Sequence, residues 1–374
     1  MRRVVMTLVL GLLLIARSEA ATSTVGPGGA CATPQACIDR LQPGDTLLIT
    51  SGSYPGFAVG NLSGSSGAPI TIKAAPGATV VLDGALGLGG PYGVITLDNP
   101  QYVTIGAPDG PMEVTFSDPW LAEIRALDMG SDADVSRWQS QYLGDPRVEI
   151  RGVHFTGGST GSNVIIQNLT IHDVPALGID NCPGQSQYLG NTIYNIGYPR
   201  SGYGFYCSGE GHVFQGNRIH DAAFGFHLYS ESGSGLTNGV VDGNLVCTSG
   251  LKPWWHMSSS RVKHGGAAIH ILPGQGNTVT NNLLAHNATA LSVFDDSATV
   301  QGNVLVGNQQ DYDTGSRQDS RPGATTTLAA AGTDACMGSA APTPATSPPA
   351  RAGMPLPVKT LPAPRDLRLL RQSQ

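Results

Sequence analysis

Beyond about residue 150, apolar residues fall in short alternating runs separated by Gly, Asn and Asp. Five runs are Gly178-Ile179-Asp180-Asn181-Cys182, Gly204-Phe205-Tyr206-Cys207-Ser208, Gly225-Phe226-His227-Leu228-Tyr229, Ala268-Ile269-His270-Ile271-Leu272 and Ala290-Leu291-Ser292-Val293-Phe294. Alternation with period two predicts a strand in each, with one set of side chains inward and the other outward. After each run comes Asn-x-aliphatic: Asn191-Thr192-Ile193, Asn217-Arg218-Ile219, Asn244-Leu245-Val246, Asn282-Leu283-Leu284 and Asn303-Val304-Leu305. The offsets from run start to Asn are 13, 13, 19, 14 and 13 residues. Asn168-Leu169-Thr170-Ile171 is a version shifted by one, and from Asn168 onward the Asn steps are 23, 26, 27, 38 and 21 residues. A unit such as Gly204 to Leu228 cannot bury its own apolar residues and must stack on copies of itself. The prediction is an all-β solenoid with one long insertion. Asn suits its bends because it tolerates left-handed backbone and bonds locally. Stacked Asn amides can also bond one another along the solenoid.

The alternation, the Asn turns and the coil length resemble the right-handed parallel β-helix repeat of the pectate-lyase-like superfamily, over roughly residues 41–310. Ala36-Cys37-Ile38-Asp39-Arg40-Leu41 suits a short helix that caps the open N-terminal end, where strand edges would otherwise stay unpaired. Pro43-Gly44-Asp45-Thr46-Leu47-Leu48-Ile49, Gly67-Ala68-Pro69-Ile70-Thr71-Ile72 and Val80-Val81-Leu82-Asp83-Gly84 look like the first coils of secreted β-helix proteins, including many polysaccharide lyases.

Residues 1–20 read as a signal peptide: Arg2 and Arg3, an apolar Val4 to Ile15, then Ser18-Glu19-Ala20 as a small-x-small cleavage site before Ala21. The apolar run is too short to span a bilayer, so the expectation is a secreted chain, a monomer with no membrane attachment once processed. Residues 21–312 form the solenoid, with insertions at 118–147 and 251–266. Residues 313–374 are expected to be a disordered tail, since Ala341 to Pro364 is rich in Pro, Ala and Thr. Fifty Gly and 13% charged residues agree with a solenoid and not a helical protein. A net charge of −6 argues against nucleic acid as a partner. Six Cys in an exported chain permit disulfides. Cys31 and Cys37 are the expected pair, and the other four cannot be paired from sequence.

Aligning the runs places Asp180, Tyr206, His227, His270 and Ser292 at one outward position, with His154 from an earlier coil as a further member. Coils about 4.8 Å apart turn these into a continuous stripe on an exposed sheet face. Tyr229 flanks it. The 251–266 insertion, with Lys252, Trp254, Trp255, Arg261 and Lys263, leaves the chain between the coils of His227 and His270. All four Trp lie in the two insertions; they either stack on sugar rings or pack the loops down.

A lyase that cleaves a uronate polymer needs a base for the C5 proton, an acid for the leaving oxygen and a cation for the carboxylate. His227 and Tyr206 supply base and acid; Lys263, Arg261 or His270 meets the carboxylate. Asp180, Tyr229, Trp254, Trp255, Lys252 and Arg261 are the expected substrate-binding residues, and the partner is a polysaccharide. The alternative is a glycan-binding or surface β-helix without catalysis. A hydrolase needs two carboxylates about 5–9.5 Å apart, and the stripe has only Asp180. Ca²⁺ is chemically possible, but no metal site can be named, and neither the acidic Ca²⁺ cluster and catalytic Arg of typical pectate lyases nor the Asp-Pro-His motif of alginate epimerases has a clear counterpart. His172-Asp173 and His220-Asp221 recur at one coil position and read as turns. Gly157-Gly158-Ser159-Thr160-Gly161 precedes the strand-like Val164-Ile165-Ile166 and reads as a coil turn, not a nucleophile elbow.

Overall fold

The computed structural model describes residues 20–156, 161–229, 235–256 and 261–313, and the backbone of 326–328. Residues 1–19, which hold most of the expected signal peptide, and 157–160, with most of the Gly-x-Ser-x-Gly match, lie outside the described residues. Every turn of the chain contributes one strand to each of three parallel sheets, visited in a fixed order. Examples are Gln187–Leu189, Thr192–Ile196 and Tyr203–Tyr206, followed one coil on by Val213–Gln215, Arg218–His220 and Phe224–Leu228. Among the described residues the first and second sheets have ten strands and the third has nine. The chain is therefore the parallel β-helix that the repeat predicts.

Its core is a set of side-chain columns. Val153, Ile179, Phe205, Phe226, Ile269 and Leu291 stand in register inside the third sheet, and all are fully buried. Phe205 and Phe226 stack at 5.0 Å with rings 1° from parallel. Each such side chain removed from water is worth roughly 1.5–3 kcal/mol.

The Asn ladder exists and is buried. Each Asn amide donates to the side-chain oxygen of the next: Asn191 to Asn217 at 3.0 Å, Asn217 to Asn244 at 3.0 Å, Asn244 to Asn282 at 2.9 Å and Asn282 to Asn303 at 2.8 Å. The same amides also donate to carbonyls of the first sheet, such as Ile166 and Tyr188. The expected left-handed backbone belongs elsewhere. It falls on the residue before each ladder Asn: Gly190, Gly216, Gly243, Asn281 and Gly302, with φ between 56° and 70°. Asn168 (φ 52°) occupies that bend position, which accounts for its shift by one. The ladder Asn is selected instead for a side chain that both donates and accepts inside the coil.

Pro34–Ile38 forms the expected capping helix, tied by the Cys31–Cys37 disulfide. Strict alternation would face Cys182 outward beside Asp180, but it is buried and bonded to Cys207 on the next coil. Asn181 takes φ 54°, which breaks the alternation and turns Cys182 inward. Cys247 is also disulfide-bonded.

The 118–147 insertion contains the short helices Trp120–Arg125 and Asp132–Arg137, with Trp120 and Trp138 buried against the solenoid. The 251–266 insertion is an antiparallel hairpin, Trp254–His256 with Arg261–Lys263. Thr326–Leu328 pairs with Val304–Val306 as a further parallel strand. The repeat thus extends beyond residue 312, where the pattern in the sequence stops.

Candidate functional site

The outward face of the third sheet carries the predicted stripe. Strand register pairs His154 with Asp180, Asp180 with Tyr206, Tyr206 with His227, His227 with His270 and His270 with Ser292. The ring planes follow the register. His227 and His270 stack at 4.8 Å and 6°, and Tyr206 lies 5.3 Å from His227 at 29°.

A second outward column stands three residues earlier on the same coils: Arg151, Leu177, Tyr203 and Phe224. Between the columns sit Gly152, Gly178, Gly204 and Gly225. A side chain at Gly204 would come within 2.8 Å of Ile219, and one at Gly225 within 2.5 Å of Val246, because the second sheet closes tightly there. Only glycine fits at that point, and the residue before it faces outward as well. Beginning each run at its glycine hides this column from a sequence reading. Tyr203 nevertheless stacks on His227 at 4.6 Å, and the Phe224 ring meets it edge-on at 4.8 Å.

Over these columns the 251–266 hairpin raises a wall and encloses a cleft of about 450 Å³. Of the predicted residues, Asp180, Tyr206, His227, Tyr229, Trp254 and Lys263 line it. His256 and His264 of the same insertion also line it, as do Arg151, Tyr203 and Phe224, which were not anticipated. His270 stacks beneath His227 without lining the cleft. Three predicted residues are not brought to it. Trp255 is 2% exposed and packs in the core. Lys252 lies over the Tyr198 ring at 5.2 Å and borders a neighbouring hollow. Arg261 is exposed on the hairpin's second strand, paired in register with His256. Of the four Trp, only Trp254 presents an edge to the cleft, with its Nε1 donating to the Gly265 carbonyl at 2.7 Å. The loop-packing alternative therefore holds for Trp120, Trp138 and Trp255.

The stripe is also less open than an exposed sheet face. Asp180 is 1% exposed and His154 is 8% exposed. His154 Nδ1 lies 2.8 Å from Asp180 Oδ1, and Arg151 Nε lies 2.7 Å from Oδ2. Asp180, the stripe's only carboxylate among the residues lining the cleft, is thus held by two partners. His227 is the opposite case. Its Nδ1 is buried with no hydrogen-bond partner. Burial, and after it the nearby His270 and His256, pushes its pKa down to about 3. Burial lowers His270 to about 4, against the pull of Asp313. His227 is accordingly a neutral imidazole at neutral pH, with a free ring nitrogen and a low proton affinity.

The cleft therefore brings together a neutral imidazole, a phenol, an ammonium and a guanidinium against aromatic walls. Among the described residues no group of three His, Cys, Asp or Glu is placed to hold a metal ion.

The profile of the family described as the right handed beta helix region matches residues 151–316. A search of curated proteins finds no match to this chain. Solved structures do resemble it. Pectate lyase Pel9A is 18% identical with a TM-score of 0.55, covering 85% of this chain and 80% of its own. An alginate lyase from Paenibacillus sp. str. FPU-7 is 16% identical with a TM-score of 0.50, covering 76% and 87%. A rhamnogalacturonan lyase is 15% identical with a TM-score of 0.50, covering 77% and 74%. At such identities the likeness concerns fold, and the fold is a right-handed parallel β-helix.

Proposed function

We propose that the chain is a secreted, carbohydrate-active protein that cleaves a uronate-containing polysaccharide by β-elimination in the cleft of the third sheet. One observation carries this reading: Tyr206, His227 and Lys263 converge on an aromatic-walled cleft whose only lining carboxylate among the described residues, Asp180, is already held by Arg151 and His154. A hydrolase would need a second carboxylate facing the first. An elimination does not. A base takes the C5 proton, the C4–oxygen bond breaks, a C4–C5 double bond forms, and an acid returns a proton to the departing oxygen.

His227 and Tyr206 are the base and acid, one coil apart. Lys263 faces the carboxylate, and Tyr203, Phe224 and Trp254 offer apolar surface to sugar rings. His227 has a low proton affinity in the free protein. An anionic sugar beside it raises that affinity, so binding itself makes the imidazole a better base. The disulfides and the leader-like residues 1–20 support export.

The same low proton affinity favours a second reading, a cleft that binds an acidic glycan without cleaving it. The two separate in one experiment. Residues 21–374 are incubated with pectate, alginate, chondroitin and hyaluronan, and the ultraviolet absorbance of unsaturated ends is followed. Absorbance that rises with the natural chain, and is lowered about 10²–10⁴-fold in His227→Ala and Tyr206→Phe, supports elimination. Binding to a polymer without any rise on it, weakened by Lys263→Met, leaves the binding reading and removes His227 as a base.

A further inference from the structure

The first coil contains a buried carboxylate that lacks a counter-charge. Asp45 is 8% exposed and makes no ion pair among the described residues. Its Oδ2 accepts the Gln42 N–H at 2.9 Å and its Oδ1 accepts the Ala21 N–H at 2.8 Å. Ala21 is held there by its own carbonyl, which accepts from Thr46 N–H at 2.8 Å. Ala21 is also the residue that follows the small-x-small sequence Ser18-Glu19-Ala20. Ala20 and Ala21 are exposed, so the bond between them is reachable.

We propose that cleavage between Ala20 and Ala21 creates an α-ammonium that pairs with Asp45 and locks the entrance of the β-helix. A leader-removing peptidase breaks the C–N bond. Water supplies hydroxyl to the Ala20 carbonyl and a proton to the Ala21 nitrogen, which takes a further proton from solvent. An ordinary amide–carboxylate hydrogen bond becomes a charge-assisted one at the same position. The register is strict. A cut one residue earlier or later moves the new terminus by roughly 3.5 Å, away from a carboxylate fixed by Gln42. Processing thus completes the first coil and gives Asp45 a counter-charge that none of the described residues supplies.

The test starts with the N-terminal mass of the secreted protein, expected to begin at Ala21. A different start overturns the proposal. Residues 21–374 are then compared with the same chain preceded by Gly-Ser, each with and without Asp45→Asn. The substitution is expected to lower the melting temperature of the mature chain by a few degrees and that of the extended chain by much less. Equal losses in both would mean that the charge plays no part. Should Asp45→Asn fail to fold, the natural chains still decide. The Ala21 α-amine is expected to react several-fold more slowly with an acylating ester at neutral pH than the amine of the Gly-Ser extension. Equal rates overturn the pairing.

Discussion

Two stacks of imidazole and phenol rings climb this solenoid on neighbouring sheets. On the second sheet His172, Tyr194 and His220 lie on consecutive coils, 4.8 Å and 4.9 Å apart and within 5° of parallel. On the third, Tyr206, His227 and His270 follow the same rule at 5.3 Å and 4.8 Å. Residue types and spacing are similar, although Tyr206 tilts 29° from His227, yet the two stacks are chemically opposite. In the second-sheet stack each His faces a carboxylate. His172 Nδ1 is 2.6 Å from Asp173 and its Nε2 is 3.0 Å from Glu113; His220 Nδ1 is 2.7 Å from Asp221. Burial works against charge on His172, but Asp173 and Glu113 outweigh it and raise its pKa. Asp173 in turn is lowered to about 2 by its bond to His172 and its contact with Arg125. In the third-sheet stack His227 has rings around it and no carboxylate partner, and its pKa falls to about 3. Stacking one residue type on successive coils therefore does not make a site. What the neighbouring coils and insertions place beside the stack decides whether an imidazole is held by carboxylates or left neutral among rings.

The contrast can be broken most sharply by activity. His227→Ala or Tyr206→Phe should lower elimination about 10²–10⁴-fold, while His172→Ala and His220→Ala should leave the rate within about twofold, since both lie on the other sheet. Comparable losses from both stacks, measured on one polymer, would dissolve the distinction.

The next largest effect is on stability in acid. His227 has a folded pKa near 3 against an ordinary 6.5. Below pH 6.5 the unfolded chain takes up a proton that the folded chain refuses, so stability falls as the pH drops from 6.5 towards 3. The slope approaches about 1.4 kcal/mol per pH unit for one group, and His227→Gln should remove that share of it. His172 has the opposite sign. Its raised pKa contributes stability that is fully present below 6.5 and is lost as the pH rises through the folded value. His172→Gln should therefore cost stability in mild acid and little at alkaline pH. Urea unfolding at a series of pH values reads both slopes; parallel slopes in the two variants would contradict the assignment.

The smallest effect concerns stacking itself. His220→Ala removes one ring from the top of the second-sheet stack, where the side chain is 21% exposed. The expected loss is about 0.5–1 kcal/mol, visible in thermal unfolding. A loss of several kcal/mol would mean that the open stack supports the coil as the buried Asn ladder does.

Much of this arrangement was legible beforehand, for a physical reason. A strand has period two and a coil has a nearly constant length, so aligning glycines and Asn was enough to place Asp180, Tyr206, His227 and His270 on one face. The departures occur where the backbone leaves that period. Asn181 at positive φ turned Cys182 into the core. Tyr203 and Phe224 face outward beside His227 although only two residues separate them from Tyr206 and His227 along the strand. The adjacent residues Trp254 and Trp255 separated because the hairpin directs one towards the cleft and the other into packing. None of these carries a signal in residue type alone.

Local alternation and repetition were thus sufficient for the solenoid, its Asn ladder and the order of groups along the stripe, because each depends on contacts between a residue and its copy one coil away. Burial of His227 and the choice of Lys263 over Lys252 and Arg261 depend on how an insertion folds back over the sheet. Those contacts join residues with no periodic relation, and they set the dielectric and the charge partners of the cleft. Only the tertiary structure could decide them.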